Sequence, residues 1–231
     1  MTGLSGGAVS GVNGLPAWLV PVAEAVDTIR PEDLSIRRPP REEASGRKAA
    51  VLILFGEDRD GPDVLLTERS HDMRSHAAQV SFPGGIEESG DDGPADTAVR
   101  EAMEETGLDP AGVEVFGTLP TLWMPFGDVS VTPVLAWWRE PCEVSAVDPA
   151  EVHAVRRVPI GDLTDPANRY TVRHPSGFMG PAFVVDGLFV WGFTAGLISQ
   201  LFLHVDWEKT WDKERYTELP DHIVERIGRY R

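Results

Sequence analysis

Residues 79–108, QVSFPGGIEESGDDGPADTAVREAMEETGL, restrict the fold more than any other stretch of this chain. Pro94 suits the first turn of a helix, where a backbone N–H has no partner to lose, and Gly107 suits the left-handed residue that ends one. Asp96 places negative charge in the first turn, where the helix dipole favours it. Between these ends Ala95, Ala98 and Ala102 share one side, with Val99 and Met103 adjacent, and small residues there let a helix lie close to a sheet. Glu101, Glu104 and Glu105 fall on the opposite side, at i, i+3 and i+4. Upstream, Gly84 and Gly85 follow Pro83 and relax the backbone, so that carbonyl and N–H groups can approach a ligand closely.

The remaining chain supplies the sheet for that helix. Residues 49–55 (AAVLILF) and 63–69 (DVLLTER) are strand-length apolar runs around a turn and predict a hairpin. Residues 79–82, 113–119, 129–138 and 152–159 predict further strands, and 160–163 a short helix. Residues 170–174 and 182–185 predict a second hairpin around Pro175-Ser176-Gly177. At the N-terminal side, 16–30 carry apolar residues at helical spacing. Residues 31–48 read as a proline-rich connector, locally basic at Arg37, Arg38 and Arg41, which would meet either solvent, an anionic substrate or a second subunit. Strands interleaved with two substantial helices predict an α/β sandwich with a mixed β-sheet.

Charge and composition narrow the function. The formal net charge of -16 and pI near 4.7 exclude a general nucleic-acid binder, which needs a basic face to displace counterions. A single cysteine, Cys142, allows no intramolecular disulfide and fits a reducing cytoplasm. Residues 187–205 contain no Asp, Glu, Lys or Arg and are long enough to span a bilayer. A β-like start, central Ser199 and Gln200, and flanking Asp186 and Asp206 favour a strand leading into a buried helix instead.

The acidic helix face carries the chemistry. Arg100 with Glu104 is a favourable i,i+4 pair, whereas Glu101 with Glu105 is a repulsive one, so the face gains little by itself. A hard dication changes that balance, because Mg²⁺ or Mn²⁺ takes carboxylate oxygens together with phosphate oxygens. A solvated acidic surface is the competing reading.

Context favours the former. From Gly85 to Leu108 the sequence resembles the Nudix box, G-x5-E-x7-R-E-U-x-E-E-x-G-U, of the Nudix hydrolases, and 100–108 (REAMEETGL) match its second half. The distance from Gly85 to Arg100 is one residue longer than the general box, and the acid pair Asp91 and Asp92 replaces its first glutamate. Upstream, Leu65-Leu66-Thr67-Glu68-Arg69-Ser70, Arg74 and Phe82-Pro83-Gly84-Gly85 resemble the L-L-T-x-R-S/A-x3-R-x3-G-x3-F-P-G-G signature of the coenzyme A pyrophosphatase branch. Ala78 stands where that signature has glycine. Residues 191–197, WGFTAGL, also look like a late segment of the branch.

The resemblance implies a Nudix α/β/α fold over 48–206, preceded by a flexible leader at 1–14 and a helix and basic linker at 15–47, and followed by a charged tail at 207–231. It implies a cytoplasmic, metal-dependent hydrolase in which water, with Mg²⁺ or Mn²⁺, attacks a diphosphate phosphorus. Glu101 and Glu105 are the expected metal ligands, Glu104 a ligand or the base, and Gly85 a carbonyl donor. Arg100 is expected to orient the acids, with Asp91 or Asp92 steadying it. Arg69, Arg74, Gly84, Phe82 and Trp123 form the expected substrate-binding set, and Met124 and Phe126 either join Trp123 there or fill core. His71 and His76 are either acid–base groups or ordinary polar residues. The expected substrate is a nucleoside diphosphate of the coenzyme A type, with NADH or ADP-ribose as alternatives, and a homodimer is left open. A non-catalytic nucleotide-binding domain is the reading from another class, disfavoured by the complete set of glutamates.

Overall fold

In a computed structural model the described residues are 14–34, 46–70, 78–124, 127–175, 177–221 and 223–224. Arg74, His71, His76 and Phe126, and the arginines of the basic connector, lie outside them. The central structure is a mixed eight-stranded sheet built on β1 (Arg47–Asp58). One edge of β1 pairs antiparallel with β2 (Gly61–Arg69) and, nearer its start, with β4 (Gly84–Ile86). Its other edge pairs parallel with β7 (Val129–Trp138) over Arg47 to Phe55. β3 (Val80–Ser81) and β8 (Val152–Pro159) flank β2, while β5 (Val113–Thr118) and β6 (Leu122–Met124) flank β7, all antiparallel.

Two faces of the sheet are covered, which is why β1 is apolar at nearly every position. Ala50, Leu52 and Leu54 meet Ala98 and Ala102 of α2 (Pro94–Thr106), together with Val134, Ala136 and Trp138. Ile53 and Phe55 point the other way, into a larger core with α1 (Val20–Ala25) and α4 (Gly192–His204). α2 has the expected ends: Pro94 in the first turn and Gly107 at φ 71°, its N–H donating to the Met103 carbonyl. Met103 is 40% exposed, so the apolar stripe ends at the alanines.

Three local readings differ. The N-terminal helix spans six residues, because Pro21 occupies its first turn and the chain beyond Ala25 tightens into turns. Residues 84–86 are a short strand beside β1 rather than free loop. A second sheet of four strands also forms, in the order β11 (Leu188–Val190), β10 (Met179–Val185), β9 (Arg169–Arg173) and β12 (Tyr216–Glu218). β12 comes from the segment read as a charged tail and pairs parallel with β9, while Leu219 and Ile223 help fill a small core against Val172 and Ala182. Between β8 and β9, Ile160–Leu163 forms the short helix α3. Among the described residues no helix is long and apolar enough to cross a membrane; α4 has 13 residues.

Candidate active site

The acidic face of α2 meets β4 and the end of β2. Close approach there explains the two glycines. A Cβ at Gly84 would collide with the Ala50 carbonyl, and one at Gly85 with the Glu101 carboxylate. Glycine is therefore required at Gly84, where the clash is with β1 backbone at a left-handed φ, whereas at Gly85 a side chain would displace the Glu101 carboxylate.

Arg100 organises the face. Its Nε and Nη2 donate to the two oxygens of Asp91 at 2.9 and 3.0 Å, and Nη2 also donates to the Ile86 carbonyl at 3.1 Å. Its Nη1 lies 3.1 Å from Glu101 Oε1 and donates to Glu104 Oε2 at 3.2 Å. Asp91 is thus the acid that steadies the arginine; Asp92 instead donates its backbone N–H to Asp96. Asp91 receives further hydrogen bonds from the Glu88 N–H and the Thr97 hydroxyl. Arg100 holds the Asp91 carboxyl well below the usual range, and Asp91 in turn raises the guanidinium.

Glu105 is different in kind. It is 7% exposed, accepts the Gly84 N–H at 3.2 Å and faces Arg69 Nη1 at 3.8 Å. Burial pushes its carboxyl up to about 7 against the opposing pull of Arg69 and the Gly84 N–H, with Glu101 and Glu151 adding to the rise. Glu101 is also raised, chiefly by burial, with Arg100 opposing. Glu104 stays 60% exposed.

All the donors here are hard oxygens, the chemistry that Mg²⁺ or Mn²⁺ prefers. Among the described residues, however, no three His, Cys, Asp or Glu side chains converge tightly enough to hold a metal ion. The reason is local: Arg100 engages Glu101 and Glu104, and the Gly84 N–H engages Glu105. As they stand, these carboxylates match a hard cation in donor chemistry and are held by the guanidinium and the Gly84 N–H.

The outer candidates divide. Arg69 is beside Glu105, and its buried Nε has no hydrogen-bond partner among the described residues. Phe82 is 2% exposed in the main core, so its side chain is closed to a ligand; it anchors the strand that leads into the glycines. The Gly84 N–H is committed to Glu105. Trp123 lies half-buried on β6 and donates Nε1 to Asp128 Oδ1 at 3.0 Å. Ala78 has a left-handed φ of 58° and is buried, which gives the glycine of the related signature a backbone reason. Sequence reasoning missed Glu151, which the β2–β8 pairing brings near Glu105 and which carries no local motif.

The NUDIX domain model matches residues 46–176, more than half of the chain and all of the cluster just described. The chain belongs to the Nudix family. A Nudix hydrolase named NudL, described as uncharacterized, from Escherichia coli O7:K1 is 38% identical over 172 residues, covering 71% of this chain and 86% of that protein. The NudL of Shigella boydii serotype 4 matches with the same identity and coverage. Among solved Nudix structures, the hydrolase RenU from M. smegmatis shares the fold with a TM-score of 0.51, over 72% of this chain and 90% of that one, at 20% identity. All of β10, with β11, α4 and β12, lies beyond the part the Nudix model matches.

Proposed function

We propose that this Nudix protein hydrolyses the diphosphate of coenzyme A or acyl-CoA, releasing 3′,5′-ADP and the (acyl) 4′-phosphopantetheine. The observation that carries the reading is the meeting of Arg69 and Glu105. Arg69 belongs to the LLTERS segment that resembles the coenzyme A pyrophosphatase branch, Glu105 to the acidic helix, and the fold joins the two at one point.

Glu101, Glu105, Glu104 and the Gly85 carbonyl would hold Mg²⁺ or Mn²⁺. When bound, the ion supplies Lewis acidity toward a phosphoryl oxygen and lowers the pKa of the attacking water. Arg100, fixed by Asp91, sets the positions of Glu101 and Glu104. Arg69 offers a planar fork of donors to the phosphate oxygens. Glu104, exposed and held by one hydrogen bond to Arg100, can swing to orient water or accept its proton. Trp123 offers a face for the base. The two reactions considered beside this one, on NADH and ADP-ribose, use the same diphosphate chemistry.

The test is product analysis after incubation with Mg²⁺ or Mn²⁺ and, separately, coenzyme A, acyl-CoA, NADH and ADP-ribose. Turnover of the coenzyme A compounds to the two named products is expected. Turnover of NADH alone overturns the coenzyme A assignment, and turnover of none overturns diphosphate hydrolysis.

A further inference from the structure

On the α2 side of the main sheet, the buried cluster beneath the helix reaches back along β1 only to Ala50. Two residues earlier, alternation puts Lys48 on the same face, 73% exposed. Lys48 is opposite Ser130 of β7, and Ser130 is opposite Trp123 of β6. On the other side, the Glu87 N–H donates to the Lys48 carbonyl at 2.9 Å, and the Glu87 carboxylate lies 3.7 Å from Lys48 Nζ. Glu87, Lys48, Ser130 and Trp123 therefore form one cross-strand row. The neighbouring row runs through Gly85, Ala50 and Thr132, with the Glu101 carboxylate over Gly85. With strands about 4.8 Å apart, Trp123 stands roughly 10 Å from Lys48 across the sheet.

The far end of this row is held in place. The Trp123 ring is fixed by Asp128, and the turn carrying Asp128 is pinned by Arg47, whose Nη2 donates to the Gly127 carbonyl at 3.4 Å. Gly46 approaches Asp128 so closely that no side chain fits there. Lys48, by contrast, is free to exchange partners, since a long, exposed ion pair contributes little. In a chain of net charge -16, an ammonium between the carboxylates and an aromatic ring is a selective feature.

We propose that this row is the nucleoside end of the site: Trp123 stacks the base, and Lys48 pairs with a phosphomonoester on the ribose. Glu87 holds the ammonium when no ligand is bound. The inference rests on the diphosphate reaction proposed at Glu101 and Glu105, and it names the substrate feature that the residues beside them distinguish.

Calorimetric titration of the full-length protein with 3′,5′-ADP and with 5′-AMP, which differ by the ribose phosphate, tests the row without turnover. Wild-type protein is expected to bind 3′,5′-ADP about tenfold more tightly than 5′-AMP. Lys48→Gln should erase that preference and Glu87→Gln should enlarge it. Trp123→Ala should weaken both ligands alike. Equal binding of the two by wild-type protein, or a preference that survives Lys48→Gln, overturns the proposal. In the hydrolytic assay Lys48→Gln should raise KM for coenzyme A severalfold more than for dephospho-CoA, with kcat little changed. A 3′,5′-ADP preference that depends on Lys48, in a protein that turns over no diphosphate, would reject the proposed reaction and keep the row. Coenzyme A turnover indifferent to Lys48→Gln would reject the row and keep the reaction.

Discussion

Glu105 is an ionisable carboxyl under burial, and this gives it a pH signature. Its carboxyl is raised to about 7 in the fold, from an ordinary value of 4.5. Between those values the folded metal-free protein binds more protons than the unfolded chain, so stability falls as pH rises through that window, by on the order of 3 kcal/mol. Urea unfolding of chelator-treated protein at pH 5 and pH 8 should show the loss, and Glu105→Gln should remove this component while keeping an acceptor for the Gly84 N–H. The same substitution should lower the metal-dependent rate by more than the roughly 10–100-fold that loss of an outer partner costs. Activity persisting in Glu105→Gln would reject it as a ligand. The acidic face was legible because i, i+3 and i+4 spacing is a property of the helix alone. The choice of Asp91 over Asp92 was not, since it depends on how the 87–93 turn folds back onto Arg100.

At the scale of elements, α2 kept its expected ends because proline and glycine act on their own backbone, whatever packs nearby. The N-terminal helix shrank because apolar periodicity reports which residues become buried, and turns can bury Leu19 and Ile29 as well as a helix can. Ala78 illustrates a constraint hidden at this level. Its left-handed backbone strains an alanine, and it is held there by its own N–H donating to the Arg69 carbonyl while the Gln79 carbonyl accepts the Arg69 N–H. Ala78→Gly should relieve that strain, partly offset by the greater freedom of glycine in the unfolded chain, for a net gain of about 0.5 kcal/mol. A higher urea midpoint with an unchanged slope would show it; a lower midpoint would show that the methyl group contributes packing that outweighs the strain.

Across the whole molecule, the second sheet is fastened to the C-terminal segment through Arg169, which is 0% exposed. Its guanidinium lies between the rings of Phe183 and Trp211, meets Glu208 Oε1 at 2.9 Å and donates to Ser199 Oγ at 2.7 Å. Removing one partner of such a pair strands a buried charge, so Glu208→Ala should destabilise the protein by about 3 kcal/mol. Chemical denaturation would measure it, and a loss below about 1 kcal/mol would mean that water reaches the site. Nothing in the charged run 206–218 marks Glu208 or Trp211 as partly buried, because each is drawn in by Arg169 of β9, far away along the chain. The sequence by itself determined the strand–glycine–helix unit, its acidic face and the family, since these rest on local periodicity, on caps and on a motif contiguous along the chain. Tertiary structure alone decided that Glu105 is buried beside Arg69, that Phe82 faces the core, and that Lys48 and Trp123 share a row. Each of those depends on strand pairing, which brings together residues that the chain itself keeps far apart.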